Sequence, residues 1–141
     1  MLGQEQDAVR EKAFNFAVRI VKLCQKLDEK TGTVHSFSEN LFRTSTALGS
    51  NLDEVNGGQS RPDFLHTVST SLKDAKEAHY WLRLLSGSET VDEPQLSSLT
   101  EEAGELVEML SKSLENVRPD RQVSILPISH FPPTIAEFSH E

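Results

Sequence analysis

The residues best suited to chemistry in this 141-residue sequence are its histidines and the carboxylates spaced around them. Asp63-x-x-His66 and Glu137-x-x-His140 have the carboxylate–histidine spacing used by di-iron helical bundles, where one helical turn brings both side chains to the same metal. Such a site also needs glutamates facing inward from other helices. Glu77 borders an apolar stripe, but Glu39 and Asp53 fall near helix ends, and Glu137 and His140 lie in a proline-rich stretch. No metal or other cofactor is therefore expected. His79 falls on an apolar stripe, where an imidazole serves either as a ligand or general base, or is simply hydrogen-bonded beside the core; the second is the expectation. The single cysteine, Cys24, sits among Ile20, Val21, Leu23 and Leu27, which suits a buried packing thiol rather than a nucleophile. No Ser-His-Asp order, phosphate-cradling glycine loop or Cys-His pair points to nucleophilic catalysis. The sequence is not expected to encode an enzyme.

Charge points elsewhere. The net charge of −8 is concentrated: residues 89–117 hold one base, Lys112, against eight acids, and the rest of the chain is close to neutral. The acidic stretch can meet a basic protein partner or a basic edge of a neighbouring copy. The bases that can form a polyanion surface lie in two segments, Arg19, Lys22 and Lys26 in one, and Lys73, Lys76 and Arg83 in the other. Each set is interleaved with acids, so a solvated surface of mixed charge is the expected role.

Four amphipathic helices must position these groups. The first runs from about Ala8 to Lys30, with Ala13, Ala17, Ile20, Cys24 and Leu27 at alternating spacings of four and three, flanked by Phe14, Val18 and Val21; Gly32 is placed to end it. Ser36 and Glu39 have capping-box spacing for a second helix, lined by Leu41, Leu48, Leu52 and Val55. Gly49 within it costs about 1 kcal/mol of helix propensity and suggests close approach to a neighbour. Asn56-Gly57-Gly58 reads as a hinge. Ser60 and Asp63 can cap a third helix, with Pro62 in its first turn, lined by Leu65, Val68, Leu72, Ala75, His79 and Leu82 and ended at Ser86-Gly87-Ser88. Asp92, Pro94 and Gln95 open a fourth, lined by Leu96, Leu99, Ala103, Leu106, Leu110, Leu114 and Val117. Tyr80 and Trp81 point about 100° apart on the third helix. Either one of them is left outside as an interface anchor, or a wide core takes both.

A hydrophobic content of 36% with 6% aromatics suits a narrow bundle. The fold expected is all-α: an antiparallel up-down four-helix bundle over 1–117, with an extended proline-rich C-terminal arm over 118–141. Pro119, Pro127, Pro132 and Pro133 prevent a regular helix in that arm. Val123, Ile125, Leu126, Ile128, Phe131, Ile135 and Phe138 make it too apolar for a free linker, so it should pack on the bundle or on a neighbouring subunit. The polar N-terminus and the lack of a long apolar run suggest a cytoplasmic protein with no membrane partner.

The order L-F-R-x-S-x-x-x-x-S-N-x-x-E from Leu41 to Glu54 is followed by the Gly57 break, then S-x-x-D-F at Ser60–Phe64. L-K-x-A-x-E-x-x-Y-W-L-R-L-L then runs from Leu72 to Leu85. Together these resemble the bacterial four-helix-bundle proteins named after the 23S rRNA intervening sequence. The likeness covers about residues 10–115 and is most specific at 41–85. It implies a homopentameric ring without enzymatic activity, and it makes Tyr80, Trp81, Arg43, Asn51 and Glu54 the interface candidates. A related branch, the accessory variability determinant of diversity-generating retroelements, works beside a reverse transcriptase and binds nucleic acid through a basic surface; the acidic fourth helix here is unlike it. The functional expectation is an oligomeric scaffold or adaptor that binds another macromolecule. The alternative is an RNA- or DNA-binding accessory protein using the bases of helices one and three.

Overall fold

The computed structural model of the chain describes residues 2–55 and 60–117. It contains four helices: α1 (Leu2–Leu27), α2 (Thr33–Asp53), α3 (Arg61–Gly87) and α4 (Leu96–Val117), packed in the cyclic order α1–α2–α3–α4 with α1 and α4 also in contact. Connections this short force successive helices to run antiparallel, so the chain is an all-α up-down four-helix bundle. The hinge at Asn56-Gly57-Gly58 and the arm at 118–141 lie outside the described residues, and so does the side chain of Val117. Among the described residues no helix is long and apolar enough to cross a membrane.

The helix ends follow local chemistry, with two corrections. The Ser60 hydroxyl accepts from the Asp63 backbone N–H at 3.3 Å and Pro62 lies in the first turn of α3, as the capping pattern requires. α2, however, starts three residues before the expected Ser36–Glu39 box. Its N-cap is Gly32 at φ 80°, a backbone conformation open to glycine, and no side chain caps it. Gly32 thus begins α2 rather than closing α1, which already ends at Leu27. Glu39 instead meets His35 one turn earlier at 2.9 Å.

One helix, α3, is rotated from its expected face, whereas α1 buries Ala13, Ile20, Cys24 and Leu27 as expected and differs at its flanks. α1 buries Val9, Ala13, Phe16, Ile20, Leu23, Cys24 and Leu27, leaving Phe14 65% exposed and Val18 at the surface. α3 buries Phe64, Val68, Ser71, Ala75, Ala78, Leu82 and Leu85, one position off the expected Leu65, Leu72 and His79. The small Ser71 and Ala78 are fully buried, as are Thr44 and Ser45 on α2. α2 and α4 bury the positions expected of them: Leu41, Leu48 and Leu52 with Val55 just beyond the helix, and Leu96, Leu99, Ala103, Leu106 and Leu110, with Leu114 half-buried against the same core. Gly49 lies against α1, where an added Cβ would meet Ala17 Cβ at 3.7 Å and the Ala13 carbonyl at 3.8 Å. The helices are close there, yet a methyl fits.

Candidate interaction site

The most structured polar surface lies along the seam between α2 and α3. Position 43 is three residues beyond Asn40 on α2, so the Arg43 guanidinium can bond both the Asn40 side chain (3.1 Å) and Glu77 across the seam (2.5 Å). Two turns along, Asn51 Nδ2 donates to Asp74 at 3.4 Å. The Arg43 hydrogen bond holds the Glu77 carboxyl below the ordinary range. Burial first, and then the Glu77 carboxylate, push Asp74 above its own, while Arg43, Asn51 and Lys73 oppose that rise. The seam therefore holds one carboxyl whose pKa is lowered beside another whose pKa is raised.

Trp81 and Tyr80 stand next to this network. Trp81 is half-buried, with its ring edge-on to Phe37 at 5.9 Å. Its indole N–H is buried without a well-formed hydrogen bond, though it also favours the ionised form of Glu77. Tyr80 lies edge-on to Trp81 at 5.8 Å and is 52% exposed, and Leu84, one turn on, is 39% exposed. Of the two readings of this aromatic pair, the geometry has Trp81 leaning on the core and Tyr80 outside it. Glu54 follows the last turn of α2, near the level where α3 begins, far along the seam from Tyr80. Four of the five interface candidates line this seam, and Glu54 stands apart.

The candidate polyanion residues are not gathered together. Arg19 pairs with Glu102 and bonds Ser98, Lys26 lies 3.8 Å from Glu93, and Lys12 bonds Glu105 at 2.7 Å, so the acids of α4 and its approach neutralise one flank of α1. Lys22, Lys73, Lys76 and Arg83 are exposed. Arg83 borders an open groove between α3 and α4 that Glu101 also lines. Sequence periodicity could not show this, because it does not say which helices are neighbours.

The remaining candidates take structural roles. His79 is half-buried against α4, its Nε2 3.6 Å from where a Cβ on Gly104 would lie, and burial followed by the nearby Arg83 charge lowers its pKa. Cys24 is buried, its thiol donates to the Ser38 carbonyl at 3.4 Å, and burial pushes its pKa up. Asp63 sits in the cap of α3 and His66 is exposed, while Glu137 and His140 lie outside the described residues. Among the described residues no group of three histidine, cysteine or acidic side chains is placed to hold a metal ion.

What the described residues define is a helical bundle with a built polar seam and an exposed aromatic edge, and no constellation for nucleophilic chemistry. The family model described as 23S rRNA-intervening sequence protein matches residues 5–112, and the chain belongs to that family. It is also similar to the crystal structure of a protein with unknown function from the S23 ribosomal protein family of Bacteroides thetaiotaomicron. That likeness has a TM-score of 0.69 at 30% identity, over 81% of this chain and 97% of that one. Comparison with curated proteins gives no match.

Proposed function

We propose that this chain is a non-catalytic scaffold that assembles with copies of itself, the aromatic edge of α3 forming part of the contact. The observation that carries this reading is Tyr80, 52% exposed, beside Leu84 and the half-buried Trp81, rimmed by the Arg43–Glu77 ion pair. An aromatic anchor on an apolar patch with a polar rim is the usual anatomy of a protein interface. The pentamer implied by the family resemblance is the assembly proposed, and a closed ring requires that this edge meet a different surface of the next copy. The acidic outer side of α4, with Glu101 and Glu108, is then left to a basic protein partner.

Sedimentation velocity or light scattering at micromolar concentration tests the assembly. The expected result is a particle about five times the 15.7 kDa chain mass, reduced to monomer by Tyr80→Glu with Leu84→Glu. A monomeric wild-type chain would sink the proposal.

The nucleic-acid alternative rests on Lys22, Lys73, Lys76 and Arg83, since Arg19 and Lys26 are already paired. Titration with structured RNA at falling salt separates the two readings, because phosphate contacts strengthen as salt is removed. No affinity at low salt is expected of the scaffold.

A further inference from the structure

A second exposed apolar surface lies on the opposite side of α2, along the outer groove between α1 and α2. Its floor is made of small residues: Ala17 and Gly49 face each other, and both are half-exposed. Its walls are Phe14 (65% exposed) and Val18 on α1, and Phe42 (49% exposed) on α2. Phe42 lies two turns before Gly49 and so on the same stripe of α2, and the antiparallel register that puts Gly49 at Ala17 and Ser38 at Cys24 brings it level with Val21. Toward the N-terminus of α1 the same outer stripe continues with Glu11 and Asp7, at spacings of three and four from Phe14. Read from that end of the bundle, the surface presents Asp7, which also pairs with Arg10 at 3.4 Å, then Glu11, and then an apolar trough.

That is also the end where α4 finishes. Leu110 and Ser113 meet Gln6 and Val9 of α1 around one small cavity, and α4 ends one turn later at Val117. Twenty-four residues follow, and their order matches the surface: Arg118 and Arg121, with Asp120 between them, come first, then Val123, Ile125, Leu126, Ile128 and Phe131. An extended chain advances about 3.3 Å per residue against about 1.5 Å in a helix. The stretch of α1 from Asp7 to Val18 is therefore spanned by about five extended residues, well within the reach of the arm. The arm is also outside what this chain shares with its relatives: the family match stops at residue 112, and 97% of the solved relative is covered by only 81% of this chain.

We propose that residues 118–131 of the same chain lie along the outer α1/α2 groove, with Arg118 and Arg121 toward Asp7 and Glu11 and the apolar residues after them over Phe14, Val18 and Phe42. The occupant lies beyond the family match, and the groove is on the opposite side of α2 from the edge of α3, so the proposal is independent of how copies assemble through that edge.

Site-specific photo-cross-linking in the full-length chain tests it. A benzophenone amino acid is placed at position 14, or separately at position 42; both are surface positions whose replacement leaves the core intact. The protein is prepared as a mixture of ordinary and nitrogen-15-labelled chains, irradiated, and its cross-linked peptides are identified by mass spectrometry. The expected product joins the α1 or α2 peptide to a peptide from 118–131 of the same isotopic label. Arg121→Glu should abolish that product, and adding Glu11→Arg should restore it. Products joining differently labelled chains would place a neighbour's arm, or a neighbour's bundle, in the groove and overturn the proposal. So would the absence of any product containing 118–131.

Discussion

At the scale of single residues, the structure separates side chains that look alike in the sequence. Ser45 and Ser71 are both buried with hydroxyls that have no hydrogen-bond partner, while Thr44 in the same layer bonds the Asn40 carbonyl at 2.8 Å. Burying an unsatisfied hydroxyl costs about 1–3 kcal/mol. Ser71→Ala should therefore leave stability unchanged or raise it by up to about 1 kcal/mol in urea unfolding, and a clear loss would show that the hydroxyl has a partner after all. His79 carries a pH prediction. Its folded pKa lies below the ordinary 6.5, so the unfolded chain takes the proton more readily. Stability is then lost as pH falls below that value. Glu77, held low by Arg43, acts in the same direction at more acidic pH, and Asp74, held high, acts in the opposite one. His79→Gln should narrow the difference in unfolding midpoint between about pH 7.5 and about pH 5.5. An unchanged difference would mean that His79 titrates alike in both states.

At the scale of elements, the existence of the helices and the cap of α3 were legible, but the start of α2 and the rotation of α3 were not. The periodicity of α2 and α4 reads one way only, because their apolar residues form a single stripe. On α1 the stripe through Ala13, Ile20, Cys24 and Leu27 is buried as it reads, but spacing did not show that Phe16 and Leu23 complete it while Phe14 and Val18 stay at the surface. On α3, Leu72 and His79 fit the apolar spacing as well as Ser71 and Ala78 do. It is the smaller pair that is buried, which spacing alone could not choose. Gly49 illustrates the same limit: a glycine in a helix suggests close approach, yet the gap at Ala17 accepts a methyl at 3.7 Å. Gly49→Ala should stabilise the protein by about 0.5–1 kcal/mol through helix propensity. A destabilised variant in urea titration would show that α1 and α2 are closer in solution than in this arrangement.

At the scale of the whole molecule, self-assembly makes stability depend on concentration, because association draws on the folded state alone. The melting temperature of the wild-type chain should rise with protein concentration, and that dependence should vanish in the Tyr80→Glu, Leu84→Glu double variant. A concentration-independent wild-type melting temperature would argue for a monomer. The candidate site was legible in part. Arg43, Asn51, Tyr80 and Trp81 could be singled out by their order along the chain, but not their contacts with Glu77, Asp74 and Phe37, which join α2 to α3. By itself the sequence determined four helices, their antiparallel order and the family, because periodicity, caps and residue order are properties local to the chain. Only the tertiary structure decided that Lys12 and Arg19 of α1 are paired with Glu105 and Glu102 of α4, and that Phe14 and Phe42 wall one groove while Tyr80 edges another. Those facts depend on which helix faces turn toward each other, and that is fixed by the fit of all four helices around one core.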